Sequence, residues 1–485
     1  MSLTQKGFSS FVYSFSSSII NKIIVFVGGV YLARLLTPQD YGLVAMLYII
    51  FAVSSFFITG GLGLALIREK IITEADKSTV FYFNIIVSIS LYILLWFGAP
   101  LIASFYGRQE LIMLTRLMGL DLLFKSLTIV QASVLKRELK FKFLSLIEVV
   151  SGITVIGISV FLAYSGYGVI ALAIKFFLGS LVSSIMLFIV NPWIPRGFIT
   201  KESFHKLFAF GSNVMLLGFV NSISKNLNQV VIGKYFSPAS LGFFNQGNML
   251  KDTATSVLND TVMNVTFPML AQIQDDKERL KLGYQRIIRI NTFTLYPIIT
   301  ILIIAAEPLI IGLLGEKWRV SIVFLQILGI SGYVGHLHSI NLNVLKVYGK
   351  GKDYLFQGFF RNGLTILGIL ITVNISVVAM AWAFVITEFL QLFINVYYSN
   401  KYISFTFKEQ WTIMFPIILI TIIMGMFVYL LGYLDFSHPL VKLTVLSFSG
   451  IILYLVLAYL FKLKALGDLK LIIGQKLKSL KKKKK

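Results

Sequence analysis

The chain has 485 residues, of which 57% are hydrophobic and only 13% are charged, and its mean hydropathy is +0.83. No soluble domain of this size tolerates that balance, so most of the chain is expected to face lipid or pack within a bundle. The formal net charge of +23 would suggest nucleic acid for a soluble protein. Cytoplasmic loops of membrane proteins collect Lys and Arg, however, so no nucleic-acid partner is expected. Cysteine is absent, which excludes disulfides, thiol catalysis and cysteine-bound metals.

Apolar runs long enough to cross a bilayer recur along the chain, since a span needs about 20 mainly apolar residues. Stretches such as 413–434 and 443–461 are almost continuously apolar, which favours helices over the alternating strands of a barrel. The N-terminal stretch is interpreted as a first span, because no small-residue cleavage site follows it. Fourteen spans are predicted, near 11–33, 41–66, 79–103, 111–133, 143–165, 168–190, 207–232, 241–266, 290–313, 321–343, 354–373, 377–397, 411–433 and 439–461.

Positive charge divides the loops into two classes. Most of the 44 lysines and arginines of the chain lie in every second loop and after Phe461, whereas the intervening loops hold few, such as Arg108 and Lys234. The positive-inside rule assigns the basic loops to the cytoplasm. Because an even number of spans returns the chain to its starting side, both termini are predicted to lie in the cytoplasm. The membrane itself is predicted to be the cytoplasmic (inner) membrane.

Two parts of the chain resemble each other. The stretch Arg34-Leu35-Leu36-Thr37-Pro38 through Gly42 aligns without a gap with Lys234-Tyr235-Phe236-Ser237-Pro238 through Gly242, and two further matches follow: Pro100-Leu101-Ile102 with Pro308-Leu309-Ile310, and Val134-Leu135-Lys136 with Val344-Leu345-Lys346. A duplicated six-span unit with both copies in the same orientation is therefore predicted. Residues 1–200 and 201–400 form the two lobes, 401–462 two additional spans, and 463–485 a basic cytoplasmic tail.

Two basic segments lie outside the predicted spans. Residues 272–289 are interpreted as a helix lying on the cytoplasmic face. The tail ends in five lysines and suits either anionic lipid headgroups or solvent, and both interpretations stay open.

Nothing in the sequence indicates an enzyme, a cofactor or a metal site. There is no GxxxxGK[ST] loop, which argues against ATP hydrolysis in this chain. The four histidines show no HExxH spacing and are interpreted as ordinary polar residues. They are His205, His336, His338 and His438.

Ionisable residues inside spans are more informative, because a charge at the bilayer centre costs roughly 3 kcal/mol or more and usually faces a cavity or a partner. Lys22 and Lys225 occupy nearly equivalent positions of the two repeats, and Lys225 shares one face of the seventh span with two asparagines at i, i+4, i+7 spacing. The sixth and eleventh spans add one cation each. The predicted substrate-binding residues are Lys22, Asn221, Lys225, Asn228, Lys175 and Arg361.

These residues predict a central, positively charged, water-filled cavity between the two halves, suited to an anionic substrate that carries phosphate. The alternative is that each lysine reaches an interface or pairs with a carboxylate. Pairing is the preferred interpretation for Arg116, Asp121 and Lys125, the last two at i, i+4 spacing. Whether Glu148 or Glu388 carries protons is left open.

Short motifs are spread over nearly the whole chain: Ala33-Arg34-Leu35-Leu36-Thr37-Pro38 with Tyr41-Gly42, Lys136-Arg137-Glu138-Leu139-Lys140-Phe141, Phe267-Pro268 with Ile273-Gln274-Asp275-Asp276, and Gly315-Glu316-Lys317-Trp318. Singly each motif is weak, but their order and spacing are fairly specific. Together they resemble the Wzx-type polysaccharide-unit flippases of the MATE-like (MOP) exporter superfamily, and most closely their colanic-acid, WzxC-like branch.

The resemblance implies two six-helix lobes in a V that open alternately to each side of the membrane. It also implies transport of an undecaprenyl-pyrophosphate-linked oligosaccharide to the outer leaflet for polysaccharide biosynthesis, with membrane lipids and a polysaccharide polymerase as candidate partners and no catalytic residues. A cation-coupled multidrug exporter of the same superfamily would favour an acidic cavity. A membrane glycosyltransferase or polymerase would call for clustered acidic residues or a large external loop, and neither is evident.

Overall fold

The structure is a computed structural model that describes residues 3–59, 61–69, 71–271 and 273–469. The side chains of residues 3–16, 18, 59, 210, 213–218, 220–221, 223–225, 257–269 and 271 lie outside this description. Over the described ranges the chain is helical between short turns, and they contain no β-strand. Contacts between Cα atoms divide the chain into a first unit, Met1–Gly242, and a second unit, Phe243–Lys485.

The first unit is built from eight helices along its described residues. In it α1 packs against α6, α5 lies between α4 and α7, and α2 contacts α8. The helices are α1 Leu3–Leu35, α2 Pro38–Thr59, α3 Leu62–Arg68, α4 Glu74–Tyr106, α5 Glu110–Arg137, α6 Phe141–Tyr164, α7 Val169–Val190 and α8 Lys201–Tyr235. Because α8 packs on α2, α3 and α4, it belongs to the first unit. The lobe boundary predicted after residue 200 concerns the sequence repeat and stays a prediction.

The described residues of the second unit continue with eight further α-helices. In it α12 packs against α10 and α14, and α15 lies between α10 and α16. The helices are α9 Pro238–Ala271, which begins in the last residues of the first unit, α10 Lys277–Ile304, α11 Ala306–Leu314, α12 Ser321–Val347, α13 Gly351–Thr372, α14 Val377–Ile403, α15 Phe407–Leu431 and α16 Pro439–Leu460. Its apolar core centres on α10, where Tyr284 and Ile288 are fully buried.

Eleven helical segments of the described residues are long and apolar enough to cross a membrane: α2 with α3, α4 to α7, α10, and α12 to α16. The prediction of an all-α, multi-pass membrane protein is therefore confirmed. The predicted first, seventh and eighth spans coincide with α1, α8 and α9, which are not among the eleven. The total of fourteen spans stays a prediction.

The strongest internal match encodes a helix start in each copy. At the start of α2, the Thr37 hydroxyl accepts a hydrogen bond from the Asp40 backbone N–H at 3.3 Å, and the Asp40 carboxylate accepts one from the Thr37 N–H at 2.8 Å. At the start of α9, the Ser237 hydroxyl accepts from the Ser240 N–H at 3.1 Å. A proline follows each cap residue, where its missing N–H costs nothing.

The glycines that end the two matching stretches lie at a close approach of backbones. A Cβ atom placed on Gly42 would be 1.7 Å from the Pro238 carbonyl oxygen, and one on Gly242 would be 1.9 Å from the Pro38 carbonyl oxygen. The two helix starts thus meet reciprocally, and only glycine fits at either position.

The basic segment 272–289 does not form a separate helix. Asp276 caps α10 by accepting a hydrogen bond from the Arg279 backbone N–H at 3.0 Å, and α10 then runs without a break through Ile304. The interpretation as a surface helix was therefore wrong, because the cap and the apolar positions that follow it extend one helix. The first residues of the predicted tail are held by Asp468, which pairs with Arg286 at 3.2 Å and with Arg289 at 2.8 Å. Residues 470–485 lie outside the described residues.

Gly42→Ala is predicted to destabilise the protein by about 1–3 kcal/mol, because the added methyl group must displace the Pro238 backbone. The melting temperature of the detergent-purified protein should fall by several degrees. The matched control is Gly98→Ala on α4, where nothing lies within 4 Å of a new Cβ atom. Equal melting temperatures for the two variants would contradict the close approach.

Candidate functional site

In the first unit, Lys175 lies inside a candidate membrane span and has no counter-charge among the described residues. It lies on α7, six residues after the helix begins at Val169, and is partly buried. Among the described residues no carboxylate or hydrogen-bond acceptor contacts its ammonium group. An unpaired charge inside a membrane span costs free energy unless water or an anion reaches it.

Lys22 lies on α1, partly exposed, and is not free, since it interacts with neighbouring groups of the chain. The residue before it, Asn21, donates a hydrogen bond from Nδ2 to Glu148 Oε1 of α6 at 2.9 Å. Lys22 therefore lies beside a polar link between α1 and α6, in the middle of the predicted first span.

The predicted polar face of α8 is described only in part. Asn228 is nearly buried, with 9% of its surface exposed, while the side chains of Asn221 and Lys225 lie outside the described residues. Because α8 is one continuous helix from Lys201 to Tyr235, the i, i+4, i+7 spacing of these three residues falls within a helix, and their shared polar face stays a prediction.

Of the predicted structural pairs in the fifth helix, one is confirmed. Lys125 Nζ lies 3.8 Å from Asp121 Oδ2, and Asp121 also accepts a hydrogen bond from Ser180 of α7. Arg116 was expected to join these residues, and this prediction was wrong. Its guanidinium instead packs on the ring of Trp96 from α4.

The second unit places its buried charges together. Arg361 of α13 and Lys251 of α9 are both close enough to Glu388 of α14 to interact with it electrostatically. Lys251 Nζ also lies 3.0 Å from Asp252 Oδ1 and 5.6 Å from the centre of the Phe384 ring. The cations of this cluster are therefore accompanied by carboxylates, unlike Lys175.

A chain of hydrogen bonds links three helices to this cluster. Gln357 Nε2 of α13 donates to Asn395 Oδ1 of α14 at 2.7 Å, and Asn395 Nδ2 lies 2.7 Å from His338 Nδ1 of α12. Because the amide nitrogen can only donate, Nδ1 of His338 accepts this hydrogen bond. The proton of the neutral imidazole is then on Nε2, which lies 3.1 Å from Glu388 Oε2. This assigns one tautomer to His338 and orients it toward the carboxylate.

An apolar cavity of ≈ 530 Å³ lies between α14 and α15 in the second unit. Phe389, Phe393 and Trp411 form aromatic walls. Its polar groups include Thr300 and Tyr333, whose hydroxyls hydrogen-bond to each other at 2.6 Å. Such a surface suits a hydrocarbon chain rather than a charged group.

Most of the polar cluster in the second unit was not predicted, although the helix periodicity of the sequence contains the signal for it. On α14, Glu388, Gln391, Asn395 and Ser399 recur at intervals of three or four residues within an apolar helix, which places them on one face. Treating the histidines as isolated residues hid the contact of His338 with this face. In the described residues no group of three potential ligands is arranged to hold a metal ion.

Asn395→Leu is predicted to destabilise the second unit by about 1–3 kcal/mol, because it leaves the amide of Gln357, 2% exposed, without its acceptor. Asn400→Leu on the exposed end of the same helix is the control, and it should change the melting temperature little. Thermal unfolding in detergent measures both. Equal melting temperatures would show that the hydrogen-bond chain contributes no stability.

Solved structures share the fold of the chain. One described as the lipid II flippase MurJ in an inward closed conformation superposes with a TM-score of 0.77 at 19% identity, over 92% of this chain and 98% of that one. Another, described as an inward-facing multidrug resistance MATE family transporter of the MOP superfamily, gives a TM-score of 0.63 at 16% identity, over 79% and 94% of the two chains. At these identities the likeness shows the fold alone, and it confirms the predicted MATE-like fold class.

Related sequences agree with the resemblance deduced from the motifs. Teichuronic acid biosynthesis protein TuaB of Bacillus subtilis (strain 168) is 24% identical over 375 residues, which cover 76% of this chain and 77% of that protein. Lipopolysaccharide biosynthesis protein WzxC of Escherichia coli (strain K12) is 23% identical over 342 residues, 68% of each chain. The model of the family described as polysaccharide biosynthesis protein matches residues 31–323. Because this match spans more than half of the sequence, the chain belongs to the polysaccharide biosynthesis protein family.

Proposed function

We propose that the chain flips lipid-linked oligosaccharide units from the cytoplasmic to the outer leaflet of the cytoplasmic membrane for polysaccharide biosynthesis. The observation that carries the proposal is Lys175, an uncompensated cation inside a span of the first unit. A substrate whose sugar is joined to an undecaprenyl lipid by pyrophosphate carries the anion that this residue lacks. The family, the relatives named for polysaccharide biosynthesis and the neighbour named a lipid II flippase support the same substrate class.

Binding of the substrate lowers the cost of holding Lys175 in the membrane, because the pyrophosphate supplies its counter-charge. Two further cations are supplied by Lys22 and Lys225. Asn221 and Asn228 add amide donors for phosphate or sugar oxygens. Arg361 contributes less net charge, since Glu388 is near it.

The lipid part of the substrate needs no aqueous path. The undecaprenyl chain stays in the bilayer, and the apolar cavity between α14 and α15 offers it a surface on the second unit. Alternating access then moves the headgroup across the membrane without hydrolysis in this chain, which makes the protein a transporter rather than an enzyme. Both termini lie in the cytoplasm in this scheme, and a polysaccharide polymerase on the outer side uses the product.

The proposal is tested by the distribution of lipid-linked oligosaccharide between the leaflets in cells with and without the protein. We expect unflipped intermediate to accumulate on the cytoplasmic side when the protein is absent. An unchanged distribution together with altered drug sensitivity would instead support a multidrug exporter of the same fold. Against that alternative, a cationic substrate would be repelled by Lys175.

Lys175→Met is predicted to reduce complementation of such cells about tenfold or more while leaving the melting temperature unchanged or raised. The reason is that the substitution removes a charge with no partner in the described protein, so that its loss leaves no other charge unpaired. Lys140→Met is the control, because Lys140 lies outside the spans and its Nζ atom pairs with Glu138 Oε2 at a distance of 2.6 Å. Normal flipping by Lys175→Met, or by a Lys22→Ala, Lys225→Ala double variant, would remove these residues from the site.

A further inference from the structure

We infer that the first unit binds the phosphate group of an anionic phospholipid, such as phosphatidylglycerol, in a pocket between α4 and α5. The pocket has a volume of ≈ 400 Å³ and lies apart from Lys175, since no residue of α7 lines it. Its lining includes Trp96 of α4 and Arg116 of α5. Two contacts of Arg116 carry the inference.

The first contact satisfies a carbonyl group that a proline has freed. Pro100 lies inside α4 and has no N–H, so the carbonyl of Trp96, four residues earlier, lacks its helical hydrogen bond. Arg116 Nε donates to that oxygen at 3.4 Å. A carbonyl freed within a membrane helix requires such a partner, which explains why an arginine is tolerated here.

The second contact fixes the plane of the guanidinium. Arg116 Cζ lies 4.6 Å from the centre of the Trp96 ring, and Tyr92 packs edge-on against the same ring with centroids 5.8 Å apart. Gly119 makes room for Tyr92, because a Cβ atom there would lie 2.8 Å from the tyrosine ring. The terminal nitrogens Nη1 and Nη2 have no hydrogen-bond or ion-pair partner among the described residues. Their N–H groups form a planar fork that matches two oxygens of a phosphate.

The pocket has the polarity of a phospholipid along its length. Gln109 lies at one end of the pocket, next to the first residue of α5, Glu110. Arg116 lies about 9 Å further along α5, at 1.5 Å per residue, and Leu120 lies about one helical turn beyond Arg116. Trp96 and Met113 are 40% and 51% exposed, so the pocket is open at the surface of the unit. Gln109 and Arg116 therefore offer polar groups to a headgroup and its phosphate, and the apolar lining residues, among them Leu117 and Leu120, offer a surface to acyl chains. Because no carboxylate pairs with Arg116, a lipid with net negative charge is favoured over a zwitterionic one.

The inference is tested on the purified full chain by native mass spectrometry and thermal unfolding with phosphatidylglycerol or phosphatidylcholine. Arg116→Gln should bind one phosphatidylglycerol fewer than the natural protein and lose most of the rise in melting temperature specific to that lipid. Each variant is compared with its own lipid-free melting temperature, so that destabilisation by the freed Trp96 carbonyl cancels. Arg116→Lys, which keeps the charge but not the fork, should give an intermediate rise.

Arg319→Gln is the control, since Arg319 is already paired with Glu307 at 2.9 Å and its hydrogen bonds to Glu316 hold the pKa of that carboxyl below its usual range. It should retain the full lipid count. An unchanged count for Arg116→Gln would overturn the inference. Farnesyl diphosphate distinguishes the source of the phosphate: displacement of the Arg116-dependent lipid at concentrations far below those of phosphatidylglycerol would assign the site to a polyprenyl diphosphate and contradict a bulk phospholipid.

Discussion

The free-energy cost of placing a charge or an unsatisfied polar group in hydrocarbon is the constraint on which this structure depends. It makes the chain almost entirely helical, because helices satisfy their own backbone groups, and it makes each ionisable side chain within a span informative. The two units meet the cost in different ways. In the second unit, Lys251 and Arg361 are accompanied by Asp252 and Glu388, whereas in the first unit Lys175 has no counter-charge among the described residues.

This difference changes how the cations contribute to binding. A compensated cluster, stiffened by hydrogen bonds from Gln357 to His338, provides a fixed polar surface with little net charge. An uncompensated lysine stores an unfavourable free energy that a bound anion relieves, and the relief favours the loaded state. In the proposed function, the charge that selects an anionic substrate is therefore concentrated in the first unit.

The motifs that reveal the family are structural rather than functional. Thr37 and Asp40 cap a helix, and Gly42 permits a backbone contact. Arg137 donates to the carbonyl of Leu66 at 3.3 Å and so ties the end of α5 to α3, while Trp318 is fully buried. These residues identify the fold because caps and close contacts tolerate few substitutions, and the same property explains why they say nothing about the substrate.

Much of the fold could be predicted from the sequence, because length and hydropathy define spans and a cap signals a helix start. Pairing within one helix was also predictable, as Lys125 with Asp121 shows. Contacts between distant helices were not. The stacking of Arg116 on Trp96 depends on the register of α5 against α4, and the approach of His338 to Glu388 depends on the packing of α12 on α14. Hydropathy does not encode register, so these groups had no visible partners.

The most direct test is reconstitution of the pure protein into liposomes that contain lipid-linked oligosaccharide, with an impermeant reagent that modifies sugars exposed outside. We expect that the natural chain moves the oligosaccharide between leaflets without added nucleotide, and that charge removal at Lys22 and Lys175 together abolishes this movement while the protein stays folded. Translocation that is absent from the natural chain, or undiminished after both charges are removed, would contradict the proposed function.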